Sequence, residues 1–531
     1  MFDVLLRGAT VVDGTGNPPR RADLAVSGDR IALIGDVGRT DAHTVLDCSG
    51  LVLAPGFIDL HSHADFTITV HPGAESYVRQ GVTTIVTGNC GSSPFPSVGG
   101  RDAALTAIMA REVSAEAELT WPDFAGFATA IGAAGPAVNL APMVGHAALR
   151  VAAAGTEHRE LTAEELGFMR ELLAEAAHQG AFGLSTGLIY APGSFAATEE
   201  VVALATEAAA YDLLYSTHMR DEGDALLDAV DEAIGTARRS GVRLQVSHLK
   251  AMGPANHGKV SDALRRIESA RAEGIDVACD VYPYAASSTR LSSRLPNWAL
   301  DGGFAGLVNR LRDEESYTRI AAELTAKTGR TFLPEATVLA ALPEGPYADR
   351  IGATLATIAG ERGRPPAETA LDILAAHEGN VWIVNHAMAE SDVDIVLGYE
   401  RSAIVSDGWV LDVHNAGHPH PRHFGTFARA IGRYHRDRGV LGLSEAVRKL
   451  TSLPAARIGL AERGILAEGK IADITVFDPE TIVDTASYAH PLAYARGTEH
   501  VLLGGQFALI GGELGGRRGT VLRKSGRREQ R

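Results

Sequence analysis

Short apolar segments alternate with longer amphipathic stretches along most of the chain. Stretches such as 162–179 and 222–239 carry apolar residues at helical spacing, whereas the short segments are nearly continuously apolar, as in strands of a parallel sheet. Repeated strand-then-helix units predict an α/β fold, and about eight repeats predict a (β/α)8 TIM-like barrel. The chain offers nine candidate strands, one more than the barrel needs, so one of the last two is expected to be an accessory strand outside the barrel. The nine candidates are 56–61, 83–88, 137–142, 183–186, 213–218, 244–248, 276–281, 381–386 and 403–407.

Both ends of the chain show a different pattern, in which short alternating strands are separated by turn residues. A simple account is one small β-sandwich domain assembled from the two termini. The strand–helix rhythm also breaks late in the barrel, which predicts an insertion there. The predicted units are a small β domain (1–55 plus 464–516), a catalytic barrel (56–290 plus 348–463), an insertion (291–347) and a basic, flexible tail (517–531).

The composition narrows the function classes. The 531 residues are 45% hydrophobic, enough for a large core, and their net charge of −16 argues against binding to nucleic acid. No apolar run approaches the roughly 20 residues of a membrane span, and the N-terminal segment lacks the pattern of a signal peptide. Three cysteines cannot form a disulfide framework in a chain this long. We therefore expect a cytoplasmic protein with neither nucleic acid nor membrane as a partner.

Metal-compatible side chains stand at the C-terminal ends of the candidate strands, where barrel enzymes build their active sites. His61 and His63 are two residues apart, so both imidazoles project to one side of an extended segment. Imidazole, thiolate and carboxylate together favour Zn²⁺, with other divalent ions that accept nitrogen and oxygen as the alternative. The six predicted site residues are His61, His63, Cys90, His218, His248 and Asp407.

Several motifs together resemble the metal-dependent amidohydrolase superfamily and, within it, the N-acyl-D-amino-acid deacylases (D-aminoacylases). The HxH pair alone marks the superfamily, whereas a cysteine at the end of the second strand is specific to this branch. The resemblance extends from end to end, apart from the basic tail. The segments that carry it are 55–63, 61–65, 87–91, 183–190, 217–222, 246–250, 280–284, 406–408, 420–422, 425–427 and 472–478.

The resemblance implies a metal arrangement and a reaction. One tight zinc would be held by Cys90, His218 and His248, and a second, weaker site would be lined by His61 and His63. Many dinuclear relatives bridge two metals with a carboxylated lysine on the fourth strand, but 183–186 contains no lysine, and a thiolate can supply that negative ligand. The implied reaction hydrolyses a small-molecule N-acyl-D-amino acid to a carboxylate and a free D-amino acid.

Asp407 is the predicted general base and acid. From the end of the last strand it would take a proton from the attacking water and return it to the departing nitrogen. Tyr190 is a candidate hydrogen-bond donor to the oxyanion. By similarity, Lys250 would contact the substrate carboxylate. Further candidates by similarity for binding the substrate are Tyr282, Ser288, Arg290, Arg294 and Arg422, the last of which would meet either the carboxylate or the side chain.

Other activities stay open on the sequence alone. Cyclic-amide hydrolases of the dihydroorotase or hydantoinase type are disfavoured by Cys90 and by the missing lysine. A deaminase would offer a glutamate near the metal, and the sequence places none there. A non-catalytic scaffold would have lost ligands that are all present. The long apolar loop 409–418 favours an apolar D-amino acid over D-Glu or D-Asp, on the premise that this loop borders the substrate side chain.

Overall fold

The computed structural model describes residues 1–38, 41–109 and 120–524. Its strands are β1 Phe2–Val11, β2 Arg20–Ser27, β3 Arg30–Gly35, β4 Ala42–Asp47, β5 Val52–Pro55, β6 Phe57–Asp59, β7 Val82–Thr87, β8 Asn139–Pro142, β9 Val144–Gly145, β10 Gly183–Gly187, β11 Leu214–His218, β12 Arg243–Val246, β13 Val277–Val281, β14 Ser287–Arg290, β15 Thr337–Ala341, β16 Trp382–Asn385, β17 Ser402–Ile404, β18 Ile474–Phe477, β19 Thr498–Leu503, β20 Gln506–Ile510 and β21 Glu513–Leu514.

The helices cover the barrel and fill the insertion. They are α1 Glu75–Val78, α2 Asp102–Met109, α3 Phe124–Ala134, α4 His146–Ala154, α5 Ala163–Gln179, α6 Thr198–Ala210, α7 Leu226–Ser240, α8 Lys259–Ala272, α9 Gly303–Arg312, α10 Glu314–Thr325, α11 Leu355–Arg362, α12 Pro366–Ala376, α13 Glu390–Gly398, α14 Arg422–Arg429, α15 Leu443–Leu450 and α16 Ser452–Ile458. None of the helices in these described ranges is long and apolar enough to cross a membrane.

The predicted (β/α)8 barrel is confirmed. Strands β6, β7 and β8 pair in parallel, and so do β9 through β13 and β17. Met143 alone separates β8 from β9, and a parallel bridge between Ser62 and Gly408 joins the first strand to the last. The barrel therefore has eight staves, counting β8 and β9 as one, and closes at the residues that follow β6 and β17.

Strands from both ends of the chain share one nine-stranded sheet. Its two contributions meet where β5 pairs antiparallel with β18, with Ala54 opposite Thr475. Alternate residues of these strands face a separate apolar core that includes Leu6, Leu24 and Ile474. This sheet packs against the barrel on the side away from the strand ends that carry the predicted ligands: the Thr475 hydroxyl donates to the carbonyl of Gly81, just before β7.

The insertion differs from the prediction in its extent. Strands β14, β16 and β15 form a three-stranded antiparallel sheet, so this unit begins at Ser287 and continues to Asn385, beyond both ends of the predicted 291–347. The candidate strand 381–386 thus lies outside the barrel. Its continuous apolar run resembled a barrel strand because both kinds of strand are buried on two faces.

The basic tail also differs from the prediction in its first part. The sequence predicts a flexible tail, but residues 517–524 run along the barrel and make main-chain hydrogen bonds to it. Leu522 N donates to Leu140 O at 2.7 Å, and Lys524 N donates to Gly180 O at 2.9 Å. The Lys524 ammonium pairs with Asp212 at 3.2 Å. Residues 525–531 of the predicted tail lie outside the described residues.

Candidate metal centre

The six predicted site residues come together at one end of the barrel. His218 ends β11, and the other five follow β6, β7, β12 and β17 within a few residues. All six are buried, with Asp407 the most exposed at 7%. Parallel strands bring their carboxyl ends to one edge, which explains why residues more than 300 positions apart meet there.

Cys90 lies at the centre of the cluster. Its Sγ is 3.6 Å from Nδ1 of His218 and 3.5 Å from Nε2 of His248. Tetrahedral zinc, with bonds of about 2.3 Å to sulfur and about 2.1 Å to nitrogen, separates its sulfur and nitrogen ligands by about 3.6 Å. Both sulfur–nitrogen distances therefore equal the separation of two ligands on one zinc ion, and the donor set of the three side chains fits this metal.

A second group of donors adjoins Cys90. Nε2 of His61 is 3.2 Å from the same Sγ and 3.5 Å from Oδ1 of Asp407. Nε2 of His63 is 3.1 Å from that carboxylate oxygen. Donor atoms of His61, Cys90, His248 and Asp407 all lie within 4.8 Å of one another. Cys90 is thus shared between two adjacent sets of ligands.

Three of the site residues have strained backbones. Cys90, His248 and Asp407 have φ angles of 51°, 35° and 49°, in the left-handed region that L-residues other than glycine rarely adopt. Each such residue costs of order 1–3 kcal/mol and persists only where its surroundings hold it. The three strained residues are also ones whose donor atoms meet within 4.8 Å at the barrel mouth.

Glycines on either side of Cys90 permit the tight path of the backbone around this residue. Gly88 and Gly91 also have positive φ angles. A Cβ at Gly88 would lie 2.1 Å from the carbonyl oxygen of Met143, and a Cβ at Gly91 would lie 2.7 Å from the amide nitrogen of Gly187. The Gly-Asn-Cys-Gly segment is therefore tightly packed against the neighbouring strands, which fixes where the thiol points.

Glu222 is a site residue that the sequence reasoning missed. It is 3% exposed, and its carboxylate lies 3.1 Å from Nδ1 of His248 and 3.4 Å from Nε2 of His218. These are the ring nitrogens that face away from Cys90. Although burial alone would raise the pKa of Glu222, His218, Lys250 and His248 hold it well below its usual range. The signal available in the sequence was its position four residues after His218.

The structure corrects the prediction that no glutamate lies near the metal centre, because Glu222 contacts two of the predicted ligands. Its carboxylate contacts the outer nitrogens of two imidazoles, where it can fix their tautomers and raise their basicity as ligands. It lies on the opposite side of these two rings from Cys90.

Asp280 holds the backbone of His248 and faces the ring of His61. Its Oδ1 accepts a hydrogen bond of 2.6 Å from the amide of His248 and lies 3.7 Å from Nδ1 of His61, while Oδ2 accepts from Gln245 at 2.7 Å. Burial raises the pKa of Asp280 to about 7. Asp59 plays a similar part beneath the last strand, accepting from the amides of His61 and Ser406.

A narrow cavity beside the metal centre collects most of the predicted substrate contacts. Tyr190, Lys250, Tyr282, Ser288 and Arg294 line it together with His218, Glu222 and Asp407. The Lys250 ammonium is 2.8 Å from Nδ1 of His248 and also pairs with Glu222. The Tyr190 hydroxyl bonds to the Thr289 hydroxyl at 3.0 Å, and its ring packs edge-on against His218.

The structure separates the two arginines between which the sequence could not choose. Arg294 is 7% exposed and lines the cavity, and its guanidinium has no hydrogen-bond or ion-pair partner within the described residues. Arg290 is not in this cavity. Its guanidinium lies over the rings of Phe304 and Trp382, at 4.8 and 5.3 Å from their centroids.

The loop 409–418 does not line either of the two cavities at this edge. Trp409 packs edge-on against Trp382, and Leu411 lies in the same apolar cluster. No residue of the loop lines the cavity at the metal centre or the larger one beside it, among the residues described. The walls of these two cavities therefore give no support to the link between this loop and side-chain specificity.

Comparisons with known proteins agree with this geometry. Residues 44–508 match the sequence model described as "Amidohydrolase family". A D-aminoacylase from Alcaligenes xylosoxydans xylosoxydans is 39% identical over 504 residues, which is 95% of this chain and 94% of the relative.

Two solved structures are similar over nearly their whole length. An N-acyl-D-glutamate deacylase from Bordetella bronchiseptica, complexed with zinc and a phosphonate mimic of the tetrahedral intermediate, has a TM-score of 0.84 at 34% identity, covering 98% of this chain and 99% of its own. A D-aminoacylase with a binuclear metal centre, in which one metal activates and the second attenuates, has a TM-score of 0.84 at 36% identity. That alignment covers 99% of this chain and 100% of that one.

Proposed function

The chain belongs to the amidohydrolase family, and we propose that it hydrolyses N-acyl-D-amino acids to a carboxylate and a free D-amino acid with zinc as cofactor. The observation that carries the proposal is the spacing of Cys90 from His218 and His248, 3.6 and 3.5 Å. Both distances equal the sulfur–nitrogen separation expected for ligands of one tetrahedral zinc, and a site with three protein ligands leaves a position open for water or substrate. The D preference rests on the relatives, which are D-aminoacylases and D-amino-acid deacylases.

Two metal positions are proposed. Cys90, His218 and His248 would hold the tight zinc. His61, His63 and Asp407 would form a second, weaker site that shares the Cys90 sulfur. Bound zinc supplies Lewis acidity and a nucleophile that forms at neutral pH. All further steps are assigned to side chains of this chain.

Asp407 is proposed as the group that moves the proton. Burial alone would raise the pKa of this carboxyl, but Arg422 and the hydrogen bond from His63 hold it well below its usual range. The carboxylate is therefore ionised at neutral pH and can accept a proton from the attacking water. The same oxygen can then pass that proton to the amide nitrogen as the carbon–nitrogen bond breaks.

Tyr190 is proposed to stabilise the oxyanion. Burial raises the pKa of its hydroxyl, so the group stays protonated and can donate. Its ring lies next to His218, with 4.8 Å between the ring centroids. A donor fixed in a cavity that excludes water stabilises developing charge more than the same donor in water.

Arg294 and Lys250 are proposed to bind the α-carboxylate. Arg294 has a buried guanidinium that feels the charges of Glu222 and Asp221 but makes no hydrogen bond or ion pair within the described residues, so it can bind a substrate carboxylate. Ser288 and Tyr282 line the same cavity. Arg422 is instead placed on the catalytic carboxylate, because its Nη1 lies 2.7 Å from Oδ2 of Asp407.

The proposed partner is thus a small N-acyl-D-amino acid. The proposed location is the cytoplasm. Its support is that Cys48, Cys90 and Cys279 form no disulfide among the described residues, as is usual in a reducing compartment.

The proposal is tested with purified protein carrying one equivalent of zinc. N-acetyl-D-leucine and N-acetyl-L-leucine are compared with dihydrouracil, a cyclic amide, and with adenine as a deaminase substrate. Release of free amino acid from the D-isomer alone is expected. Turnover of the cyclic amide or of adenine in place of the D-isomer would overturn the proposal, as would zinc-loaded protein that is inactive on every N-acyl-D-amino acid.

A further inference from the structure

A buried network of hydroxyl groups joins two of the segments that carry the predicted site residues. Ser62 lies between the two histidines that follow β6, and Ser406 directly precedes Asp407. The hydroxyl of Tyr77 lies 3.1 Å from Oγ of Ser62 and 2.9 Å from Oγ of Ser406. One phenol therefore links the histidine pair after the first barrel strand to the proposed general base after the last.

Tyr77 reaches this position from α1, the short helix between β6 and β7. Its side chain is fully buried, and its ring belongs to the large apolar core of the barrel. Burial raises the pKa of its phenol well above the ordinary value, so the hydroxyl keeps its proton. A hydroxyl buried this deeply requires hydrogen-bond partners, and the two serines supply them.

The hydrogen bonds of the network lead towards a carboxylate. The Ser406 hydroxyl donates to Oδ2 of Asp59, so its oxygen is left to accept from Tyr77. The Tyr77 oxygen is then free to accept from Ser62, whose hydroxyl also lies 3.2 Å from the carbonyl oxygen of Gly408. Each hydroxyl of the network thus has both a donor and an acceptor role.

The network holds the backbone on both sides of Asp407. The amide of Gly408 donates to Oγ of Ser406 at 2.9 Å, and the carbonyl of Gly408 accepts from Oγ of Ser62 at 3.2 Å. Asp407 itself has a φ angle of 49°, a conformation that persists only where the surrounding structure holds it. Tyr77 connects the two serines that provide this support.

The same part of the chain also holds the helix that carries Arg422. Gln80, just after α1, accepts from the amide of Phe427 on α14 at 2.9 Å and donates to the carbonyl of Ser76 at 2.6 Å. Arg422 is the first residue of α14 and pairs with Asp407. Contacts from α1 and the residues next to it therefore support both members of this ion pair.

We propose that Tyr77 is a positioning residue for Asp407, and that its hydroxyl fixes the backbone around the general base and so directs the carboxylate towards the metal centre. This inference rests on the proposed hydrolysis of N-acyl-D-amino acids. It also assigns a role to the serines of the His-Ser-His and Ser-Asp-Gly segments, which the proposed reaction does not use.

The first test is Tyr77→Phe, which removes the hydroxyl and keeps the ring. A displacement of about 1 Å can lower a rate about 100-fold, so kcat for N-acetyl-D-leucine should fall about 10- to 100-fold. KM should change much less, because Lys250 and Arg294 line the cavity outside this network. Tyr434→Phe removes another buried tyrosine hydroxyl, which donates to Glu390 at 2.8 Å, and should leave kcat unchanged.

The second test measures zinc binding and does not depend on activity. The proposed weaker site contains Asp407 and the two histidines on either side of Ser62, whereas the ligands of the tight site follow other strands. In competition with a fluorescent chelator, Tyr77→Phe should bind the second zinc equivalent about 10- to 100-fold more weakly and the first with unchanged affinity. A general loss of structure would weaken both.

Ser62→Ala breaks the same network from its other end. It should lower kcat in the same direction, and adding Tyr77→Phe should lower kcat little further, because both substitutions interrupt one path. Effects on kcat that multiply in the double variant would show that the two residues act independently. Ser62→Ala alone replaces the first test if Tyr77→Phe does not fold.

The outcomes separate this inference from the proposed function. The parental kcat in Tyr77→Phe overturns the positioning role alone, and so does equal weakening of both zinc equivalents. Zinc-loaded parent protein that turns over no N-acyl-D-amino acid overturns the proposed function. The selective weakening of the second zinc then still decides whether Tyr77 positions Asp407.

Discussion

Nη1 of Arg422 lies 2.7 Å from Oδ2 of Asp407, and both side chains are buried. The other carboxylate oxygen, Oδ1, is 3.1 Å from Nε2 of His63. Oδ2 is thus paired with the positive charge of Arg422, while Oδ1 faces the imidazoles of the metal centre. The ion pair keeps the carboxylate ionised and leaves Oδ1 as the oxygen that can accept a proton.

Asp407→Asn should abolish most turnover without removing zinc from the tight site. The amide cannot accept a proton, and loss of a positioned general base typically costs 10²- to 10⁴-fold in rate. Steady-state kinetics and metal content of the same preparation are the measurements. Asp484→Asn, which alters a partly buried ion pair with Arg429 elsewhere, is the control. Wild-type rates in Asp407→Asn would remove this residue from the mechanism.

Cys90→Ser should lose the zinc of both sites. A neutral hydroxyl is a poorer zinc ligand than a thiolate, and Cys90 is the donor that the two ligand sets share. Metal analysis after dialysis is expected to find well below one equivalent, against about one in the parent. Cys48→Ala removes a buried thiol in the terminal sheet and should keep its metal. Full zinc occupancy in Cys90→Ser would contradict the assignment.

Glu222→Gln should weaken zinc binding about 10- to 100-fold, the usual effect of losing a partner of metal-bound histidines. Glutamine keeps the shape of the side chain but loses the charge that faces His218 and His248. Competition with a fluorescent chelator measures the affinity without reference to activity. Glu232→Gln, which disturbs a half-buried pair with Arg220, provides the comparison. Equal affinities in the parent and in Glu222→Gln would show that this carboxylate is not needed for ligation.

Arg294→Met should raise KM about 10- to 100-fold, because a charged hydrogen bond contributes about 1.5–3 kcal/mol. The effect on kcat should be smaller, since the carboxylate is remote from the reacting carbonyl. An amide analogue of the substrate, which lacks the negative charge, should be nearly insensitive to the substitution. Arg330→Met, at an exposed arginine paired with Asp224, serves as control. An unchanged KM would assign the carboxylate to another cation.

Ending the chain after Gly516 should destabilise the barrel. The truncation removes the main-chain hydrogen bonds that Leu522 and Lys524 make to Leu140 and Gly180. Together with the loss of apolar contacts of Leu522, a decrease of about 2–5 kcal/mol in the free energy of unfolding is expected. Urea denaturation measures it, and a chain ending at Lys524 keeps these bonds. Identical unfolding midpoints for the two chains would refute the role given to this segment.

The barrel and the six predicted site residues could be predicted from the sequence because both depend on the position of a residue along a strand. An apolar strand that ends in His or Cys places that side chain at a known edge. The strand Trp382–Asn385 could not be assigned in the same way, since its apolar run fits a barrel strand and an insertion strand equally well.

The contacts missed by the sequence depend on the paths of loops. Glu222 faces His248 only because the segment after β11 turns back over the ring. Similarly, the short 3₁₀ turn Leu291–Arg294 places Arg294 in the cavity at the metal centre, whereas Arg290, on the strand before it, stacks over aromatic rings. The spacing of residues along the sequence does not predict these side-chain orientations.

The bridge between Ser62 and Gly408 has a consequence for how the active centre arises during folding. His63 and Asp407 are 344 residues apart in sequence and meet only when the last strand joins the first. Contacts at such separation form late, after most of the chain entropy has been lost. Nascent chains that lack the final strand therefore have Cys90, His218 and His248 but no proton acceptor, so these chains could take up metal before they could hydrolyse a substrate.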